Sequence, residues 1–378
     1  MNSKPHYLLL DGLRGVAALM VLVYHLFEAV AFAAGDPEQN MFHGFLGVDF
    51  FLVLSGFVMG YAYDERLRSG ALTFEAFVKR RLIRLHPMVV IGVLFGLAAF
   101  LVQGSVKWDG TQVSLGNVII SFVLALFLIP SPARLDARGN TEIFPLNGPH
   151  WSLFFEYIGS VLYGLLLCRM KDKYLKMWVL CAFAGLLAVG FSGGAGNIAY
   201  GWSSEPLNML GGALRMLFAY PMGLLLSRMF RSREPVNLKS YIFTFCALAL
   251  VALLCVPAIG VSKAPFFAKL GPLQLYYELF CVSVAFPAII WTAARGGVSS
   301  KFSAAAVKFL GDLSYPLYAV HYPLIYLNIW WINEGMTPFG EAPWATPAAL
   351  FVIAVALGWL CFKLYDLPLR KKLTEKFL

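Results

Sequence analysis

Runs of about twenty apolar residues recur along this 378-residue chain, and they decide what it can fold into. A run of that length crosses the ~30 Å hydrocarbon core as a helix, which satisfies its own backbone polar groups in lipid. Eleven candidates lie near residues 8–33, 45–63, 86–103, 117–130, 151–168, 175–191, 208–228, 240–258, 272–294, 312–332 and 345–365. Hydrophobic residues make up 59% of the chain and charged ones 13%, roughly half the charged share of a soluble domain. A water-facing globular surface is excluded. The chain reads as an all-α polytopic membrane protein.

Basic residues gather in connections at 64–84, 169–176, 228–239, 295–308 and the tail after 362. Connections 35–43 (Asp36, Glu38), 192–207 (Glu205) and 334–343 (Glu334, Glu341) are neutral or acidic; the link 261–271, with Lys263 and Lys269, fits less cleanly. This is the charge pattern of cytoplasmic loops, so the net charge of +9 marks topology rather than nucleic-acid binding. If each basic connection is cytoplasmic, two spans must separate 64–84 from 169–176, yet three candidates lie there. The shortest, "NVIISFVLALFLIP", ends in proline and is assigned to a re-entrant or interfacial segment. The expectation is about ten transmembrane helices plus that segment, both termini cytoplasmic. The chain reads as a single domain over 1–378 with no appended soluble domain, and the run after Lys4 as a retained span rather than a cleaved signal. The six cysteines form no CxxC pair, so no metal or disulfide framework is expected.

Ionisable residues inside such runs are costly and mark function or pairing. The first run, "LLLDGLRGVAALMVLVYHLFE", carries Asp11, Arg14, His25 and Glu28. Arg14 and His25 are eleven residues apart, so they project within about 20° of each other and roughly 16 Å apart along the axis. Asp11 and Glu28 extend the stripe. Three readings fit the stripe alone: boundary and interhelical hydrogen bonding, a proton or substrate relay in a transporter, or a catalytic site with a charged donor at Arg14 and a general base at His25.

Other motifs narrow the choice. "GVDFFLVLSGFVMGY" places Asp49 in one half of the second run and Ser55-Gly56 near its middle, with Gly56 and Gly60 suited to close helix packing. "KRRLIRLHP" carries Arg81 and Arg84 three apart, a spacing at which guanidinium forks can meet phosphate. "GPHWSLFFEYIGSVLYG" holds His150, Trp151, Ser152 and Glu156, and "LSYPLYAVHYPL" puts Ser314, Tyr318 and His321 on one face.

In order, "LDGLRGVAALMVLVYH", "FFLVLSGFVM", "RRLIRLHP", "WSLFFE" and "YAVH" resemble the acyltransferase-3 family of integral-membrane acyltransferases, over essentially the whole chain. The resemblance implies transfer of an acyl group, usually acetyl from cytoplasmic acetyl-CoA, to a hydroxyl on the far side of a bacterial inner membrane. It makes Arg14 and His25 the essential pair and Arg81 and Arg84 the cytoplasmic arginine motif, with Ser55, Glu156, Tyr318 and His321 at further motif positions. Asp11 and Asp49 join the candidates on the stripe and burial arguments. The expected reaction is O-acylation of a polysaccharide or lipid-linked glycan, with acyl-CoA as co-substrate near Arg14, Ser55, Arg81 and Arg84 and no permanently bound cofactor. His25 is expected to be the base, oriented by Glu28 or Asp49, with Tyr318 or His321 donating to the oxyanion. Alternatives are acylation of a small hydrophobic product such as a macrolide, and a proton-coupled glycan or lipid transporter.

Overall fold

The computed structural model describes residues 7–33, 42–192, 196–231, 241–258, 271–298 and 300–378. Expectations resting on Lys4, Asp36, Glu38, Lys263, Lys269 and residues 232–239 lie outside them. The regular elements among the described residues are helical, with no β-strand and three isolated bridges. In chain order the α-helices are α1 (Leu8–Ala33), α2 (Gly47–Arg68), α3 (Phe74–Val102), α4 (Leu115–Leu126), α5 (His150–Leu165), α6 (Asp172–Ser192), α7 (Pro206–Arg231) and α8 (Ile242–Leu254). They continue with α9 (Gly271–Phe280), α10 (Phe286–Ala293), α11 (Lys301–Val320), α12 (Tyr322–Asn333), α13 (Ala345–Cys361) and α14 (Leu367–Phe377).

Seven helices among the described residues are long and apolar enough to cross a membrane: Leu8–Ala33, His43–Arg68, Phe74–Val102, Asp172–Ser192, Pro206–Arg231, Leu273–Ala293 and Ala345–Phe377. The protein is an all-helical integral membrane protein. Residues such as Leu94, Leu180, Leu248 and Val352 stand exposed on its surface, where lipid tails suit them better than water. The expected ten spans include α5, of 16 residues, and α8, of 13, which fall short of that length. Helix α4 has 12 residues, about 18 Å of rise against a ~30 Å core, so it is too short to cross, in line with the sequence reading.

Several boundaries differ from expectation, two of them at the basic segments nearest the site. The basic connection placed at 64–84 shrinks to five residues, because Thr73 caps α3 by accepting a hydrogen bond from Ala76 N at 3.2 Å. Lys79, Arg80, Arg81 and Arg84 are therefore helical. The tail after 362 is also helical: α13 passes through a π-helical turn, Phe362–Asp366, into α14.

Small residues set the tightest packing. A Cβ on Gly56 of α2 would lie 1.9 Å from Tyr220 O of α7, and one on Gly223 of α7 would lie 1.9 Å from Val53 O of α2. The two backbones touch, as the packing reading of Gly56 required. Helix α1 lies against α11 and α12, which together replace the span expected at 312–332 and break at His321. Pro323 explains the break: it has no N–H for the carbonyl of Ala319 four residues earlier, and its ring crowds that oxygen. Ala319 O instead accepts from Asn147 Nδ2 at 2.8 Å.

Between α3 and α5 the chain is pinned by Arg138, which is fully buried. Its guanidinium lies against the rings of Phe100, Trp108 and Tyr326 at 4.8, 5.0 and 3.9 Å and donates to Pro145 O and Gln103 Oε1. This connection closes over the end of the bundle opposite the N-terminus of α1.

Candidate active site

The stripe on α1 faces α11 and α12 along its length. Near the start of α1, Arg14 Nε donates to Ser314 Oγ of α11 at 2.8 Å, and its terminal nitrogen pairs with Asp11 at 3.2 Å. Ser314 in turn donates to Gly311 O at 2.8 Å. About three turns further on, His25 Nδ1 lies 2.6 Å from Glu28 Oε2. A carboxylate accepts only, so Nδ1 carries a proton, and in the neutral ring Nε2 presents a lone pair. Nε2 makes no hydrogen bond among the described residues. Glu28 also accepts from Tyr322 Oη at 3.3 Å, so α12 helps to hold the carboxylate that orients the ring. The His25 side chain keeps 15% of its surface accessible. A base held in one tautomer with its other nitrogen open is the arrangement general-base catalysis needs.

His321, at the helix break, stacks on His25 with ring centroids 5.3 Å apart and planes at 29°. Its Nδ1 lies 2.9 Å from Tyr318 O and 3.2 Å from Leu317 O. Carbonyl oxygens also accept only, so His321 Nε2 offers a lone pair, and it is buried without a partner. A neutral His321 in this tautomer is no oxyanion donor. Tyr318 Oη is engaged with Ser152 Oγ at 2.6 Å and Pro149 O at 3.2 Å, which leaves its one proton committed. Both residues reach the neighbourhood expected of them, but their hydrogen bonds point to shaping the site rather than donating into it.

The arginine motif divides. Arg81 is 5% exposed; it pairs with Glu156 of α5 at 2.7 Å and donates to Ser160 Oγ at 3.2 Å. Ser55 of α2 donates to the same Glu156 oxygen at 3.0 Å. Ser55, Arg81 and Glu156 thus form one largely buried tie among α2, α3 and α5. Arg84 is exposed and forms no hydrogen bond or ion pair among the described residues. It lies in the field of Arg14, Asp11, Arg81 and Arg370.

Asp49 does not orient His25. It sits in a two-pronged ion pair with Arg215 of α7, at 2.6 and 3.0 Å, and Arg215 also donates to Tyr200 O at 2.6 Å. The orienting carboxylate is Glu28. Sequence reasoning passed over Arg215, although a lone arginine deep in an apolar run asks for a carboxylate on another helix. It also passed over Asn147, whose partner exists only because Pro323 frees a carbonyl. Among the described residues no group of three His, Cys, Asp or Glu side chains is placed to hold a metal ion.

Comparison with known proteins bears on the family of the chain. No solved structure matches the chain. Over 173 residues it is 34% identical to "Protein 2 in picA locus" of Rhizobium radiobacter, covering 43% of this chain and 85% of that protein. Over 398 aligned positions it is 25% identical to the O-acetyltransferase OatA of Staphylococcus aureus, covering 99% of this chain but 59% of OatA. The chain thus spans under two thirds of that relative's length. The acyltransferase-3 family model, described as an acyltransferase domain, matches residues 7–363, and with nearly the whole chain matched this protein belongs to that family of acyltransferases.

Proposed function

We propose that the protein is a membrane O-acyltransferase that carries an acyl group, acetyl in the first instance, from cytoplasmic acyl-CoA to a hydroxyl of a glycan or lipid-linked glycan across a bacterial inner membrane. The observation that carries this reading is the single face of α1 on which Arg14 and the Glu28-oriented His25 both meet α11 and α12. Such a face joins a cationic donor end to a base about 16 Å along the helix. Family membership and the O-acetyltransferase relative support it.

In this reading both termini are cytoplasmic, and the phosphates of the donor lie at Arg14 and Arg84. The acceptor hydroxyl gives its proton to His25 Nε2 as its oxygen attacks the thioester carbonyl. The tetrahedral adduct collapses, the C–S bond breaks, and the proton passes from His25 to the departing thiolate, giving ester and thiol. Glu28 fixes the ring and stabilises the imidazolium while it lasts. Arg81 and Glu156 hold α3 against α5 and so position Arg84.

The test uses sealed inside-out vesicles supplied with acetyl-CoA labelled in the acetyl group, with lumenal glycans and lipids followed by mass spectrometry. Label reaching the lumenal fraction with intact protein, and lost with His25→Ala and Arg14→Ala, is the expected outcome. Undiminished transfer without His25 would remove it as the base.

A further inference from the structure

We propose that the helix following the last long apolar run completes the donor's phosphate site, with Arg370 as a binding residue and Asp366 as its positioning residue. The inference rests on the reading above that the donor is a phosphate-bearing carrier. Arg370 lies beyond residues 7–363, the stretch matched to the family, so no family motif assigns it a role.

The geometry begins with the π-helical turn Phe362–Asp366. Such a turn inserts one residue into the helical repeat and rotates everything after it. Helix α14 is otherwise a polar surface helix: none of its residues is fully buried, and only Leu369, Arg370 and Leu373 are half-buried. With buried Asp366, these form one inward face at helical spacing. That face packs on α3, the helix that carries Arg84.

Asp366 Oδ2 holds Arg370 at 2.8 Å, which leaves the guanidinium oriented but not consumed. Arg370 Nε is buried without a hydrogen-bond partner, as is Asp366 Oδ1. Arg370 and Arg84 lie in each other's field, together with Arg14. Arg80, one turn before Arg84 on α3, also has a buried Nε without a partner. Three guanidiniums, those of Arg14, Arg84 and Arg370, therefore gather against two carboxylates, Asp11 and Asp366, because Glu156 already neutralises Arg81. Like charges gathered at this density repel unless an anion joins them. Guanidinium N–H groups without protein acceptors suit the several oxygens of a phosphate. A phosphate of CoA and the headgroup of an anionic lipid share that chemistry. The two half-buried sides, α3 and α14, favour a ligand that inserts between helices, as the nucleotide end of CoA would.

Binding to the purified full chain in uncharged detergent separates the possibilities. Calorimetry would compare CoA, pantetheine and phosphatidylglycerol with the intact chain, R370Q and R370K. The intact chain should prefer CoA to pantetheine, R370Q should cut that preference about tenfold, and R370K should restore part of it. R370Q that keeps the intact preference would overturn the assignment of Arg370 while leaving the acyl-CoA reading in place. An intact chain that binds neither CoA nor pantetheine would overturn both. Loss of phosphatidylglycerol binding in R370Q, with CoA binding unchanged, would make the cluster a lipid headgroup site and overturn the donor assignment.

Discussion

His25 and His321 show how the partner of one ring nitrogen decides what the other can do. Each Nδ1 faces an oxygen that only accepts, so each Nε2 is a base, yet His25 is partly accessible and His321 is not. Removing His25 should therefore cost about 10²–10⁴-fold in acyl transfer, measured as initial rate in vesicles. Glu28→Gln should cost less, since an amide oxygen can still orient the ring but no longer balances its charge. The two motif arginines should separate in the same way. Arg81→Ala leaves the half-buried Glu156 without its cation and with only Ser55 as partner. Breaking a buried pair typically costs about 3–5 kcal/mol, so a drop in melting temperature is expected, at or below that scale. Arg84→Ala touches no protein partner, so it should melt like the intact protein and raise the apparent KM for the donor. A matched loss of stability in both variants would mean that Arg84 also serves the fold.

At the level of elements, the break between α11 and α12 and the tie between α2 and α7 set the frame of the site. Pro323→Ala would restore an N–H opposite Ala319 O and allow the two helices to join. The expected result is a protein of equal or higher melting temperature with reduced transfer, because Leu317 O and Tyr318 O would no longer be turned toward the His321 ring. The Asp49–Arg215 pair fastens α2 to α7 beside their glycine contact. Asp49→Ala should destabilise by about 3–5 kcal/mol through an unpaired buried arginine, whereas Asp49→Ala with Arg215→Met should recover much of that loss. The melting temperatures of the single and double variants decide the point. No recovery in the double variant would mean that Arg215 matters mainly through its stacking on Trp151 and its bond to Tyr200 O.

Over the whole molecule, the connection between α3 and α5 closes the end of the bundle nearest His25, and its own chemistry makes that closure sensitive to pH. Burial pushes the Glu142 carboxyl up from an ordinary 4.5 to about 8, while Tyr326 Oη donates to it. Between those values the folded protein holds a proton that the unfolded chain has released, so stability is full below the lower value and falls as pH rises through about 8. Melting curves at pH 5 and pH 9 should show this fall, and Glu142→Gln should flatten it. The sequence alone determined the solvent of this protein and the identity of its chemical groups. Apolar runs of bilayer length admit little but helices, and a charged stripe at helical spacing cannot hide its face. Arg14, His25 and Arg81 could be named from local patterns, and Ser55, Glu156, Tyr318 and His321 from the motifs of the resemblance. Which carboxylate serves which cation was not legible, because pairing is a matter of distance between helices far apart in the chain. Asp49 went to Arg215 and Glu28 to His25, Arg81 was buried while Arg84 was left open, and a π-helical turn brought Arg370 inward. Only the tertiary structure decided these, since each depends on how helices are rotated and packed against one another rather than on spacing within any one of them.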